Sequence, residues 1–266
     1  MTGGWTGDLL LGLAVLVGAS VQRLAGMGFA LVAAPVLVLM LGTDGGVTPA
    51  DFAAGAISAV GLAGSWRHVR PATMLPLVLA AACTVPAGAR VAARVPAPGL
   101  LIGIGLLVCA ATLLVIRGVR AAALRGLGGA VIAGAASGFM NSAAGVGGPA
   151  MSLYAVNSGW TAREFVPNAQ LYGVLVNALS PAAKGLPGLS APVWGLVTAA
   201  LAGGAPAGRA PAARVSERRA RAVVLGLALT GGLTTLVKGV SGLWPPSWEC
   251  SVKGGQICSG HAILPR

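Results

Sequence analysis

Two apolar segments of this chain are broken by glycine at matched positions, and a broken apolar helix has few places it can go. The first reads Leu24-Ala-Gly-Met-Gly-Phe-Ala-Leu-Val-Ala-Ala-Pro35, and the second Asn141-Ser-Ala-Ala-Gly-Val-Gly-Gly-Pro-Ala-Met151. Gly26 and Gly145 lie 119 positions apart, and so do Gly28 and Gly147. Both segments sit in stretches apolar enough to enter a bilayer. A helix interrupted at that depth frees backbone N–H and C=O groups, which must be buried in protein or line a polar cavity. Breaks at corresponding places in two halves of a chain are where small anions or ions are held in repeat-built carriers.

Composition places the whole chain in the bilayer. Of 266 residues, 56% are hydrophobic and 9% charged, and mean hydropathy is +0.83. A soluble domain of this size could not hide so much apolar surface, and a disordered chain would be polar. Uncharged runs at 9–22, 26–42, 72–89, 99–116 and 222–237 approach or reach bilayer length. The expected fold class is an all-α, polytopic membrane bundle. No Lys or Arg precedes the first apolar run and no cleavage pattern closes it, so that run reads as a retained helix rather than a signal peptide. The net charge of +12 does not indicate nucleic acid. Basic residues lie between apolar segments, where they set topology and meet the anionic inner leaflet.

The repeat extends beyond the glycines. Pro86, Gly88 and Arg94 match Pro206, Gly208 and Arg214 at an offset of 120. A nearly constant offset over separate motifs indicates duplication. The expected division is a single transmembrane permease domain over 1–241, with repeat 1 near 8–117 and repeat 2 near 127–241. A polar tail at 242–266, expected to be disordered, follows the stop at Pro245-Pro246. Each repeat holds apolar pieces, near 9–24, 28–42, 50–65, 72–89 and 99–116, then 127–142, 146–158, 165–181, 188–207 and 222–240. The first two of each set form either one broken crossing or a pair of short helices, giving eight or ten elements. Counting five pieces per half with the N-terminus outside puts Arg67, Arg70, Arg117, Arg120, Arg125, Arg163 and the Arg209–Arg221 loop inside. That distribution favours five pieces and inverted repeats.

The candidate binding residues follow from the breaks. Gly145, Gly147 and Gly148 before Pro149 suit a non-helical turn and a new helix start, with Gly26 and Gly28 as counterparts. Freed N–H groups at a helix N-terminus favour a small anion, whereas the structural alternative for small residues is close helix packing. Asn141 and Ser142 precede the second break, as Gln22 and Arg23 precede the first. Asn168, Gln170, Tyr172 and Asn177 punctuate a later span, with Asn168 and Tyr172 on one helical face. Buried amides suit an oxyanion or, equally, interhelical hydrogen bonding. Asp51 and Glu164 read first as boundary or capping residues, with Asp51 also a candidate coupling carboxylate. Lys184, after Pro181, reads as a snorkelling cation or an anion attractor. Cys83 and Cys109 read as packed small hydrophobes, and Cys250 and Cys258 in the tail could pair if extracytoplasmic.

Enzyme motifs are lacking. His68 and His261 match no metal spacing, and there is no nucleophile elbow, zinc-protease helix or phosphate loop. No metal or cofactor is called for. The stretch Gly138-Phe-Met-Asn-Ser-Ala-Ala-Gly-Val-Gly-Gly-Pro-Ala-Met-Ser-Leu-Tyr154 resembles the second-half signature of TauE/SafE-type sulfite exporters, also called TSUP permeases. Phe165 to Asn177 and Lys184-Gly185 are similar to that family, as is Gly26 to Pro35, although Phe29 stands where a further glycine is usual. The resemblance covers about 9–241. It implies a multi-pass permease of the bacterial cytoplasmic membrane for a small anion, such as sulfite, an organosulfonate or a related organic anion. The partners expected are that anion and the lipid bilayer, with no nucleic acid and with a homo-oligomer left open. A non-transporting membrane scaffold or assembly protein is the alternative.

Overall fold

The computed structural model describes residues 5–118, 124–185, 188–207 and 217–243. Every regular element among them is helical. Helix α1 spans Trp5–Ala25, α2 Phe29–Ala63, α3 Pro71–Arg94, α4 Ala97–Arg117 and α5 Gly126–Ala144. Then come α6 at Gly148–Asn157, α7 at Ala162–Lys184, α8 at Ala191–Ala207 and α9 at Glu217–Leu243. A short 3-10 turn, Trp66–His68, joins α2 to α3. Four helical stretches are long and apolar enough to cross a membrane: Trp5–Arg23, Gly46–Ala63, Pro71–Arg94 and Ala97–Leu114.

Local chemistry fixes the helix ends. Gly26, at φ 77, and Gly145, at φ 71, close α1 and α5 in the left-handed conformation. Each returns its N–H to the carbonyl four residues back, Gly26 to Gln22 at 2.9 Å and Gly145 to Asn141 at 2.7 Å. Pro71 opens α3, where its missing donor costs nothing. Thr161 and Glu164 form a capping box on α7, with the Thr161 N–H donating to Glu164 Oε2 at 2.9 Å. Glu164 also pairs with Arg70 at 2.6 Å. Its capping role matches the expectation from sequence.

The pieces expected near 28–42 and 50–65 are two helical limbs, which together make up α2. Gly42, at φ 82 and ψ 170, is not helical and divides the N-terminal from the C-terminal limb. The chain turns back sharply there: a Cβ on Gly46 would lie 2.5 Å from Val38 Cα. Asp51 lies in the second turn of the C-terminal limb, whose apolar stretch begins at Gly46.

The interior is polar in places and the outside apolar, as lipid solvation requires. Leu9, Leu13, Leu75, Leu79, Leu106, Ile132 and Val237 are exposed, while Gln22, Asp51, Ser58, Asn141, Gln170 and Asn177 are buried. Helices α3 and α5 pack along each other, as do α1 with α8, α4 with α9, and α2 with α7. Small residues bring these backbones close. A methyl group on Gly134 or Gly138 of α5 would overlap the α3 backbone at Leu77 or Ala81. Gly204 of α8 sits equally tightly on Leu16 and Ala19 of α1. Hydroxyls bridge both seams: Thr84 donates to the Ala135 carbonyl at 2.8 Å, and Ser20 to the Gly204 carbonyl at 3.3 Å.

Cys83 is exposed rather than packed inside, because its face of α3 points away from α5. Cys109 is partly buried. The tail with Cys250, Cys258 and His261, and the basic residues Arg120, Arg209 and Arg214, lie outside the described residues.

Candidate functional site

At each break, a side-chain amide meets the freed backbone. The Phe29 N–H, first in α2, donates to Gln22 Oε1 at 3.0 Å. The Gly147 N–H donates to Asn141 Oδ1 at 3.3 Å. These two donors, which the sequence offers to an anion, are thus capped from within. Ser137 clasps the second break from below, its hydroxyl donating to the Gly147 carbonyl at 2.7 Å.

The glycines there are needed for different reasons. Gly26, Gly28 (φ 128) and Gly145 require positive φ. Gly147 does not: its φ is −88. A Cβ there would instead lie 2.7 Å from the Ser137 carbonyl oxygen and 2.8 Å from Asn141 Cβ. At Gly148 the nearest atom would be Met27 Cε at 3.6 Å, an ordinary contact. Pro149 is buried in the first turn of α6.

Behind the breaks, the C-terminal limb of α2 crosses α7, and two polar nodes form at the crossing. In one, Gln22 Nε2 donates to Ser58 Oγ at 2.7 Å, and Gln170 Nε2 approaches the Gln22 carbonyl at 3.4 Å. In the other, Asn141 Nδ2 lies 3.0 Å from Asn177 Oδ1 and 3.4 Å from Asp51 Oδ1. The nodes correspond residue by residue. Gln22 and Asn141, Ser58 and Asn177, Asp51 and Gln170 are each 119 positions apart, like the glycines. Ser58 and Asn177 even bond back to the equivalent carbonyls, Ala54 at 2.7 Å and Gly173 at 2.8 Å.

The second node is charged. Ser180 donates a short hydrogen bond to Asp51 Oδ2, and Lys184 Nζ lies 3.3 Å from the same oxygen. The Asp51 side chain is 0% exposed and that of Lys184 14%. Asp51 is accordingly no boundary residue, and Lys184 turns inward instead of snorkelling. A cleft of about 590 Å³ opens above this pair, lined in part by Thr48, Arg90 and Lys184.

The other candidates separate into two groups. Gln170 packs against Gly61, and its Oε1 is buried without a hydrogen-bond partner, as is Ser142 Oγ. The Tyr172 hydroxyl lies beside Ser137 without completing a hydrogen bond. Asn168 is placed elsewhere: it accepts from the Arg70 N–H at 2.9 Å and donates to the Glu164 carbonyl at 2.8 Å. The two ends of that amide tie the start of α3 to the start of α7.

The family profile described as "Sulfite exporter TauE/SafE" matches residues 10–235. The chain belongs to the TauE/SafE family. Comparison with curated proteins and with solved structures found no match. A TauE/SafE member is a multi-pass membrane transporter, not an enzyme. The family match takes in both glycine breaks, both nodes and the Asp51–Lys184 pair. Among the described residues, no His, Cys, Asp and Glu cluster could hold a metal ion. The sequence set Gln22 beside Asn141 but left Ser58 and Ser180 unnoticed and gave Asn177 no partner. Applying the same offset to the other polar residues would have paired Ser58 with Asn177 and Asp51 with Gln170.

Proposed function

We propose that this TauE/SafE transporter moves a small sulfur oxyanion, sulfite or an organosulfonate, across the bacterial cytoplasmic membrane as a secondary carrier. The observation that carries this reading is the pair of buried polar nodes, set on broken helices at equivalent positions. Buried amides and hydroxyls at that depth are costly unless they serve a polar path. In this reading 1–241 acts as one permease domain of two inverted repeats. Gly26, Gly28, Gly145, Gly147, Gly148 and Pro149 shape the path. Asn141, Ser142, Gln170 and Tyr172 supply hydrogen bonds to the anion, Asn168 holds the scaffold near them, and Asp51 is the coupling group. Amides and hydroxyls can release their internal partners for an oxyanion without gripping it too tightly to let go.

The test is flux into proteoliposomes containing the purified protein. Labelled sulfite and a sulfonate should enter or leave faster than a carboxylate of similar size. A preference for the carboxylate, or no flux of any of the three, would overturn the substrate class.

A further inference from the structure

Resting on that reading, we infer that Lys184 is the seat of the transported anion, and that Asp51 is the internal anion it displaces, so that each anion bound brings one proton onto Asp51.

The argument begins with charge. Asp51 is wholly buried, and one cation, Lys184, reaches its Oδ2 at 3.3 Å. Lys184 also lines the open cleft, so this residue lies between a buried carboxylate and that cleft. Among the described residues, the other charged group lining that space is Arg90 of α3. From α5 comes the neutral Asn141 amide and from α7 the Ser180 hydroxyl. An anion drawn into a cleft bearing Arg90 and Lys184 meets an ammonium already occupied by Asp51. If it takes Lys184, Asp51 becomes a buried, unpaired carboxylate, which is too costly to persist. A proton from the cleft water resolves this. It adds to an Asp51 carboxylate oxygen, and the neutral acid keeps hydrogen bonds with Ser180 and Asn141. For a singly charged anion, a sulfonate or hydrogen sulfite, the node then holds the same net charge before and after loading.

The equivalent node shows why this occurs once per molecule. Gln170 stands at the position equivalent to Asp51, and Ser65 at the position equivalent to Lys184, both 119 residues away. Neither can carry charge. The first node can hydrogen-bond an anion in passing but cannot exchange it for a proton.

The experiment is calorimetric titration of the purified protein with sulfite, in two buffers of different ionisation enthalpy. Proton uptake is compared between wild type and Asp51→Asn, so that sulfite's own protonation cancels. The expected difference is about one proton per anion bound, by the linkage of proton and ligand binding. Asp51→Asn should still bind sulfite, with an affinity less dependent on pH than that of wild type. Lys184→Gln should lose affinity about tenfold or more, as for a hydrogen bond to a charged group. Because that variant leaves Asp51 unpaired, the neutral pair Asp51→Asn with Lys184→Gln serves as a folding-competent check and should show the same loss. Equal proton uptake in wild type and Asp51→Asn would overturn the exchange, and unchanged affinity in the doubly neutral variant would overturn the seat. Wild-type protein that binds no sulfite would instead overturn the substrate reading itself.

Discussion

Gly145, Gly147 and Gly148 stand almost side by side and make three different demands. Gly145→Ala forces a side chain into the left-handed region, at a cost of about 1–2 kcal/mol, although the space around it is ordinary. Gly147→Ala keeps a relaxed φ but drives a methyl group against Ser137 and Asn141, an overpacking cost of about 1–3 kcal/mol. Gly148→Ala should be nearly neutral in melting temperature, since a methyl group there makes only an ordinary contact with Met27. Thermal melting in detergent, read beside flux, should rank the three in that pattern, and equal damage from all three would contradict it. Asn141→Ala should act on stability and transport together, since it strips partners from the Gly147 N–H and from Asn177. A loss of about 1–3 kcal/mol is expected for buried groups left unsatisfied, with a raised apparent KM for sulfite. Asn168→Ala should lower melting temperature with little change in KM, because its amide ties the Arg70 backbone at the start of α3 to α7, away from the breaks. The sequence placed Asn141 at the break but gave no partner for Asn168. Only the tertiary fold brings the start of α3 onto that amide.

Among the elements, the seam between α3 and α5 is the most exacting. Gly138 approaches the α3 backbone too closely for any side chain, and the Thr84 bond to Ala135 holds the same register. Gly138→Val should lower the melting temperature by several degrees or keep the protein from accumulating in the membrane. Cys83→Ala, on the exposed face of α3, should leave both unchanged. Helix existence was legible from apolar runs and glycine punctuation, because those report local cost. What ran between elements was not. Asp51 looked like a boundary residue because it begins an apolar run, yet the fold buries it against Ser180 and Lys184. Lys184 looked like an interfacial cation until α7 brought it onto α2. Pairings between distant helices leave a trace in one sequence only where a repeat supplies a second copy to compare.

For the whole molecule, the glycines point to the repeat and the charges carry an expectation of orientation. The Arg209–Arg221 loop should be cytoplasmic. Its residues up to 216 lie outside the described structure, so the expectation rests on the density of positive charge. In intact cells, a Ser216→Cys variant should resist an impermeant thiol reagent in a background lacking the native cysteines. Ready labelling from outside would reverse the assigned orientation. The bend at Gly42 has a consequence for where the chain can be opened. Gly42 (φ 82) and Gly159 (φ 73) mark turns at matching stages of the two halves, and a side chain at either would meet open space. A short protease site inserted after either glycine should be tolerated and cut, yielding two fragments that remain together. The same insertion after Gly138, whose backbone lies hard against α3, should disrupt assembly, because there the polypeptide has no slack to give.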